Sequence, residues 1–252
     1  MDLGQVLQRL EESKKLGVKE YYFTGGEPFI HPHIVEIVEA TLAIGPATVL
    51  TNATLLKPKQ VERLATIERG SLYSLELRVS LDGYSPEMND AIRGKGAFGK
   101  AIEGVKLLLK HGFLPIVTVA QTWDERANDA VAARFVEVLK AEGYSRPRIK
   151  MIPTLHIGEE ETRTRGYDVA ERLTAEMMEG FDASQLLCTR SRMVTGKGIF
   201  VCPILIESPG ARLGTNLGDS LEPVSLDHGA CTTCYREGAI CSNLSSGGAD
   251  VS

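Results

Sequence analysis

Five cysteines are confined to the last third of this 252-residue chain: Cys188, Cys202, Cys231, Cys234 and Cys241. Cys231 and Cys234 form a C-x2-C pair, which sets two thiolates on one turn facing one metal. An odd number of cysteines, one such pair and no signal-peptide pattern argue for metal or cluster ligation over a disulfide framework. The residues leave three outcomes open: an iron–sulfur cluster, a structural zinc with His228 as a substitute ligand, or ordinary buried thiols. The second chemical candidate is "TGGEP", residues 24–28. Gly25 and Gly26 let the backbone approach a ligand closely, Glu27 is an acceptor for an ammonium group, and Pro28 stiffens the exit and removes a donor. The same residue types also fit a tight strand-to-helix turn.

Something must hold these residues in place, and the hydrophobic periodicity says what. Apolar faces at helical spacing predict helices over 3–16, 33–44, 57–67, 98–110 and 128–141. Apolar, β-branched or alternating runs predict strands over 18–24, 47–51, 74–81, 114–122 and 148–155. Strands alternating with helices imply βαβ units and a parallel sheet. Parallel sheets bind ligands beyond the carboxyl ends of their strands, and "TGGEP" stands at such an end. So do Asn52, Ser80, Asp82 and Gln121. Each has a bland reading beside the functional one: Asn52 and the Asp82-Gly83 dipeptide fix turns, and Ser80 and Gln121 satisfy strand-end backbone groups. After residue 156 the texture changes to a charged linker (158–166), a helical pattern (168–179), and Gly-, Pro- and Cys-rich sequence with short strand-like pieces such as "GIFVC". The "SNLSSGGADVS" tail is expected to be disordered.

"FTGGEPFIHP", "LTNATLL" and "VSLDGYSPEMNDAIRGKGAFGKAIEGVKLLLKHG", in that order, resemble the radical S-adenosylmethionine superfamily. The resemblance covers nearly the whole chain. It implies an α/β fold, a partial (βα)6 TIM-like barrel over residues 1–157. A cysteine-rich SPASM/twitch-like module would follow over 158–252. It also implies that Gly25, Gly26, Glu27 and Pro28 hold the methionine amino group of S-adenosylmethionine, and that Asn52, Ser80, Asp82 and Gln121 meet its carboxylate and ribose. "C-x13-C" and "C-x2-C-x6-C" resemble the ligand arrangement of an auxiliary [4Fe–4S] cluster, with four of Cys188, Cys202, Cys231, Cys234 and Cys241 as ligands; zinc is the alternative. The implied activity is modification of a peptide, a protein or a small molecule through a 5′-deoxyadenosyl radical. Flavodoxin or ferredoxin would be the electron donor.

One departure is plain. In that family three cysteines of a C-x-x-x-C-x-x-C loop after the first strand carry the catalytic cluster, and this sequence has no cysteine before Cys188. Every βα unit should begin with a strand, yet the chain opens on a helix. The expectation is an N-terminal truncation that removed both strand and loop, leaving a chain inactive alone. The alternative is a non-catalytic iron–sulfur or zinc-binding remnant that recognises a partner. No catalytic acid or base is identifiable.

Bulk properties narrow the partners. The balance of 28 basic and 33 acidic residues, 28 − 33 = −5, offers no footprint for nucleic acid or an anionic membrane. No apolar run approaches the roughly 20 residues needed to span a bilayer, so a cytoplasmic protein is expected. "RGKGAFGKA" (93–101) follows no strand and lacks the phosphate-loop Ser or Thr, so it reads as a turn into a helix. His31 and His33 read as polar residues of a helix start. Trp123 would line the barrel mouth or cap the core.

Overall fold

A computed structural model describes residues 1–238 and divides the chain into two compact units, Asp2–Ile152 and Pro153 onward with Met1. Cys241 lies outside the described residues.

The first unit alternates as the periodicity predicts: α1 (Leu3–Lys15), β1 (Tyr21–Phe23), α2 (Ile34–Leu42), β2 (Ala47–Thr51), α3 (Pro58–Gly70), β3 (Leu75–Ser80), α4 (Pro86–Arg93), α5 (Ala97–Lys110), β4 (Ile116–Gln121), α6 (Asn128–Ala141) and β5 (Arg148–Pro153). The strands stand in the order β1-β2-β3-β4-β5, with β1 to β4 paired in parallel. This α/β sheet with its helices is a partial TIM-like barrel.

Local signals set the helices. Asp2 and Gln5 exchange backbone and side-chain bonds of 2.8 and 3.0 Å, a reciprocal cap that starts α1. Pro58 and Pro86 open α3 and α4, where a missing N–H costs nothing. Leu75, Leu77 and Val79 of β3 bury on one face among Val61, Leu64, Val105 and Leu108 of the flanking helices. The alternate residues Glu76, Arg78 and Ser80 point to the opposite, inner face.

Several expectations shift. β1 is three residues long, shorter than the strand expected over 18–24. α4 was not among the expected helices: after the Asp82-Gly83 turn, the cap that Ser85 supplies to Met88 N starts it directly.

The second unit holds α7 (Glu159–Arg163), α8 (Ala175–Met178), the antiparallel sheet β6 (Met193–Thr195), β7 (Gly198–Phe200) and β8 (Arg212–Gly214), and α9 (Gly229–Glu237). The charge run expected to be linker thus contains a short helix. The helix expected over 168–179 shrinks to four residues, because its side chains bond the local backbone instead. Glu171 Oε2 accepts from Asp168 N at 2.7 Å and binds Arg165 at 2.6 Å, and Asp168 Oδ1 accepts from Ala170 N at 3.2 Å.

One close approach fixes how α5 seats on the sheet. A Cβ at Gly104 would collide with the carbonyl oxygen and the Cβ of Ala53, just past β2. Gly104→Ala is therefore expected to destabilise the first unit by about 1–3 kcal/mol, despite alanine's better helix propensity. Chemical denaturation monitored by circular dichroism checks this.

Candidate functional site

The carboxyl ends of β1 to β3 converge on a mouth, and Glu27 ties its first two strands together. The Glu27 side chain turns inward and its residue is 8% exposed. Its Oε1 accepts from the Thr51 hydroxyl at 2.7 Å and from Phe29 N at 3.0 Å, while Oε2 accepts from Asn52 N at 2.7 Å. Three donors on one buried carboxylate make a strong, charge-assisted joint. Both oxygens of Glu27, the expected acceptor for a ligand ammonium, also bond the chain, and the backbone of Gly25 and Gly26 is the exposed part of the motif. Gly25 has a φ of 153°, which favours glycine, and a Cβ at Gly25 or Gly26 would meet nothing within 4 Å. Pro28 begins a single 3-10 turn, Pro28–Ile30, capped by Glu27.

The other strand-end residues are engaged to different degrees. Asn52 Oδ1 accepts from Thr54 N at 2.9 Å and from the Thr54 hydroxyl at 2.7 Å, so this oxygen fixes a turn. Asp82 is buried and bridges three elements: Oδ1 accepts from Ala120 N of β4 at 2.9 Å, Oδ2 pairs with Arg93 Nη2 of α4 at 2.7 Å, and its own N–H donates to Asn89 Oδ1 at 3.0 Å. These bonds make it a strut between β3, β4 and α4. Ser80 ends β3 opposite Thr118, and half-buried Gln121 ends β4. Trp123 packs on the core and donates from Nε1 to Asn128 Oδ1 at 2.8 Å.

A polar cleft of about 480 Å³ lies at these ends. Asn52, Ser80 and Asp82 line it together with Arg93, Lys95 and Lys100, whereas Gly25 to Pro28 and Gln121 are not among its walls. The three cations were missed because "RGKGAFGKA" (93–101) was read only as a turn into a helix. Asp90 organises that turn by accepting from Phe98 N at 2.8 Å and from Gly96 N at 2.5 Å. Those backbone donors, Phe98 first, hold its carboxyl below the usual range.

In the second unit Cys188, Cys202, Cys231 and Cys234 line one cavity of about 40 Å³, whose other walls include Leu187, Val201, Ile204 and Leu205. Cys231 and Cys234 sit three apart on α9, hence on one face. None of the four forms a disulfide. Burial pushes the Cys231 thiol up to about 11 and raises those of Cys188 and Cys202. Neutral thiols in an apolar pocket are inert, and a metal would have to displace their protons. Among the described residues no three Cys, His, Asp or Glu stand as a finished ligand set. Arg192 organises the Cys188 turn by donating to the carbonyls of Cys188 and Ser191, each at 2.7 Å, and of Glu222 at 3.0 Å. His228 precedes α9, pairs with Asp227 at 3.6 Å and is not part of the cavity wall.

The Glu27 joint has a direct test. Glu27→Gln replaces an acceptor with an amide donor facing N–H and O–H groups. It is expected to cost about 1–3 kcal/mol, and Thr51→Val to cost less, both measured by urea denaturation.

Residues 1–123 match the family model described as the Radical SAM superfamily. The mycofactocin maturase MftC of Mycobacterium ulcerans (strain Agy99) is 27% identical over 253 residues, covering 96% of this chain and 63% of that protein. The chain thus spans less than two thirds of that relative's length. The subtilosin biosynthesis protein AlbA of Bacillus subtilis (strain 168) is 34% identical over 106 residues, 41% of this chain and 23% of that protein. Among solved structures, Streptococcus suis SuiB bound to its precursor peptide SuiA superposes with a TM-score of 0.64 at 15% identity, covering 90% of this chain and 59% of that one. Among the described residues no helix is long and apolar enough to cross a membrane. The sequence match and the fold agree: residues 1–123, just under half of the chain, are similar to the radical SAM superfamily.

Proposed function

We propose that this chain binds S-adenosylmethionine at the mouth of its barrel and serves the radical modification of a peptide or protein, with an iron–sulfur cluster held by its C-terminal cysteines. The observation that carries this reading is the open Gly25–Gly26 backbone at the same strand ends as a polar cleft with three cations. Backbone groups beside Gly25 and Gly26 would hold the methionine ammonium, with Glu27 rigidifying them from behind. Arg93, Lys95 and Lys100 suit the carboxylate, and Asn52 and Ser80 suit the ribose hydroxyls. Asp82 acts through Arg93, which it orients, and Gln121 is assigned to the same mouth by its strand-end position. The peptide class is taken from relatives named as a mycofactocin maturase and a subtilosin biosynthesis protein. A small molecule is the second choice of substrate.

The four cysteines that share one apolar cavity fit an auxiliary cluster. When bound, a [4Fe–4S] cluster supplies one-electron chemistry tuned by its ligands and surroundings. In this chain α9 presents two thiols, the turns at Cys188 and Cys202 present two more, Arg192 fixes the Cys188 turn, and the leucines and valine of the wall exclude water. Cys241 is a further candidate ligand by sequence. The cluster that cleaves S-adenosylmethionine does not fit the barrel residues, since residues 1–187 contain no cysteine to ligate it. Flavodoxin or ferredoxin is the electron donor this reading requires. A second reading is a non-catalytic iron–sulfur or zinc-binding protein that recognises a partner.

Two measurements separate these readings. Anaerobic reconstitution is expected to give a brown protein with about four irons per chain, lost in the Cys231→Ala/Cys234→Ala variant; a colourless protein holding one zinc would sink the cluster. Calorimetric titration is expected to show S-adenosylmethionine binding, weakened at least about tenfold by Gly26→Val, a difference of about 1.4 kcal/mol. Failure to bind leaves the partner-recognition reading.

A further inference from the structure

The inner face of the sheet carries a charge that neither the mouth nor the helix-side core uses. Arg78 sits in β3, in register with Leu50 of β2 and Ile116 of β4, and its side chain is 5% exposed. Its Nε donates to Glu76 Oε1 at 2.9 Å, while the other oxygen of Glu76 takes Arg148 Nη2 at 3.1 Å. Among the described residues the Arg78 side chain bonds Glu76 through Nε, and its terminal amines are not sealed off from open space. On the neighbouring strand Thr118 pairs with Ser80, and its buried hydroxyl lacks a partner. Strand alternation puts Arg78, Ser80 and Thr118 on one face. Ser80 walls the mouth cleft, so Arg78 lies about 7 Å deeper, two residues at about 3.3 Å each.

A buried hydroxyl without a partner is costly, and an apolar residue would be the stable choice at Thr118 if it served packing alone. A guanidinium fork matches a carboxylate with two parallel bonds, and a threonine hydroxyl adds a third donor. Glu76, fixed beside the fork, disfavours a dianion such as phosphate. We infer that Arg78 and Thr118 form a subsite for a carboxylate of the substrate, set deeper in the barrel than the mouth. Given the mouth reading proposed above, the substrate is held carboxylate-down with its other end toward Ser80. The carboxylate is either a chain terminus or an acidic side chain.

The full chain is titrated calorimetrically with three blocked ligands: N-acetyl-glycyl-glycine, whose one carboxylate is terminal; N-acetyl-aspartic acid α-amide, whose one carboxylate is a side chain; and N-acetyl-glycyl-glycinamide, which has none. At least one carboxylate is expected to bind and the amide not to, and the better of the two identifies the source. Arg78→Met should weaken that binding about tenfold or more, Arg78→Lys less, and Thr118→Val by a smaller factor. If Arg78→Met fails to fold, Arg78→Lys and the isosteric Thr118→Val carry the test. Equal binding of the amide, no binding of any ligand, or variants that bind as the wild type does would overturn the subsite. S-adenosylmethionine binding to the wild-type chain is measured in parallel; its failure removes the mouth reading and the substrate's orientation but leaves the Arg78 result standing by itself.

Discussion

A single buried carboxylate sets the geometry of the barrel mouth. Where parallel strands end, their ladders run out and backbone donors need new partners. Glu27 supplies them, taking Phe29 N on its own segment and Thr51 and Asn52 at the end of the next strand. The joint spreads, because the Thr51 hydroxyl in turn accepts from Ala53 N at 2.9 Å. Asp82 repeats the device between β3 and β4 and adds Arg93 of α4. The strand ends are thus stitched by side chains, and the cleft is walled by what the stitching leaves over.

Much of the fold was legible because its signals are periodic. The alternation of Leu75, Leu77 and Val79 announced a strand with one buried face, and the structure buries that face. The strand-end positions were legible too. The direction in which each side chain turns was not. Glu27 and Asp82 looked like ligand groups because carboxylates at strand ends are rarely idle, but their partners lie 24 and 38 residues away in sequence at Thr51 and Ala120. Nothing local in "TGGEP" or "SLDG" names those partners. The cations of the cleft were obscured for another reason: Arg93 and Lys95 share a glycine-rich turn whose type is obvious and whose facing depends on α4, itself hidden behind an Asp-Gly pair.

The two faces of the sheet follow different rules. Strands of fully covered parallel sheets usually read as unbroken apolar runs. "LELRVS" does not: its even partners are Glu76, Arg78 and Ser80. The helix side pays the conformational entropy of folding through dense apolar packing, which leaves the inner side free to hold polar groups at a stability cost. Tyr22 belongs to this inner side as well. Burial first, and then its 2.8 Å bond to Glu20, push its phenol far above the usual range. The cysteine cavity follows a third rule: apolar walls around soft ligands, with one arginine pinning the backbone.

The contact between Ala53 and Gly104 has an evolutionary consequence. Among the described residues Ala53 alone of the non-glycine residues has a positive φ, 58°, and its carbonyl and methyl group press on α5 where Gly104 has no side chain. The two positions therefore form one mutational locus. Any side chain gained at 104 narrows what is tolerated at 53, and a glycine at 53 would relieve both the backbone and the crowding at once. Drift across this part of the mouth should proceed by paired substitutions, so descendants of this sequence would carry matched residues at these sites in place of independent ones.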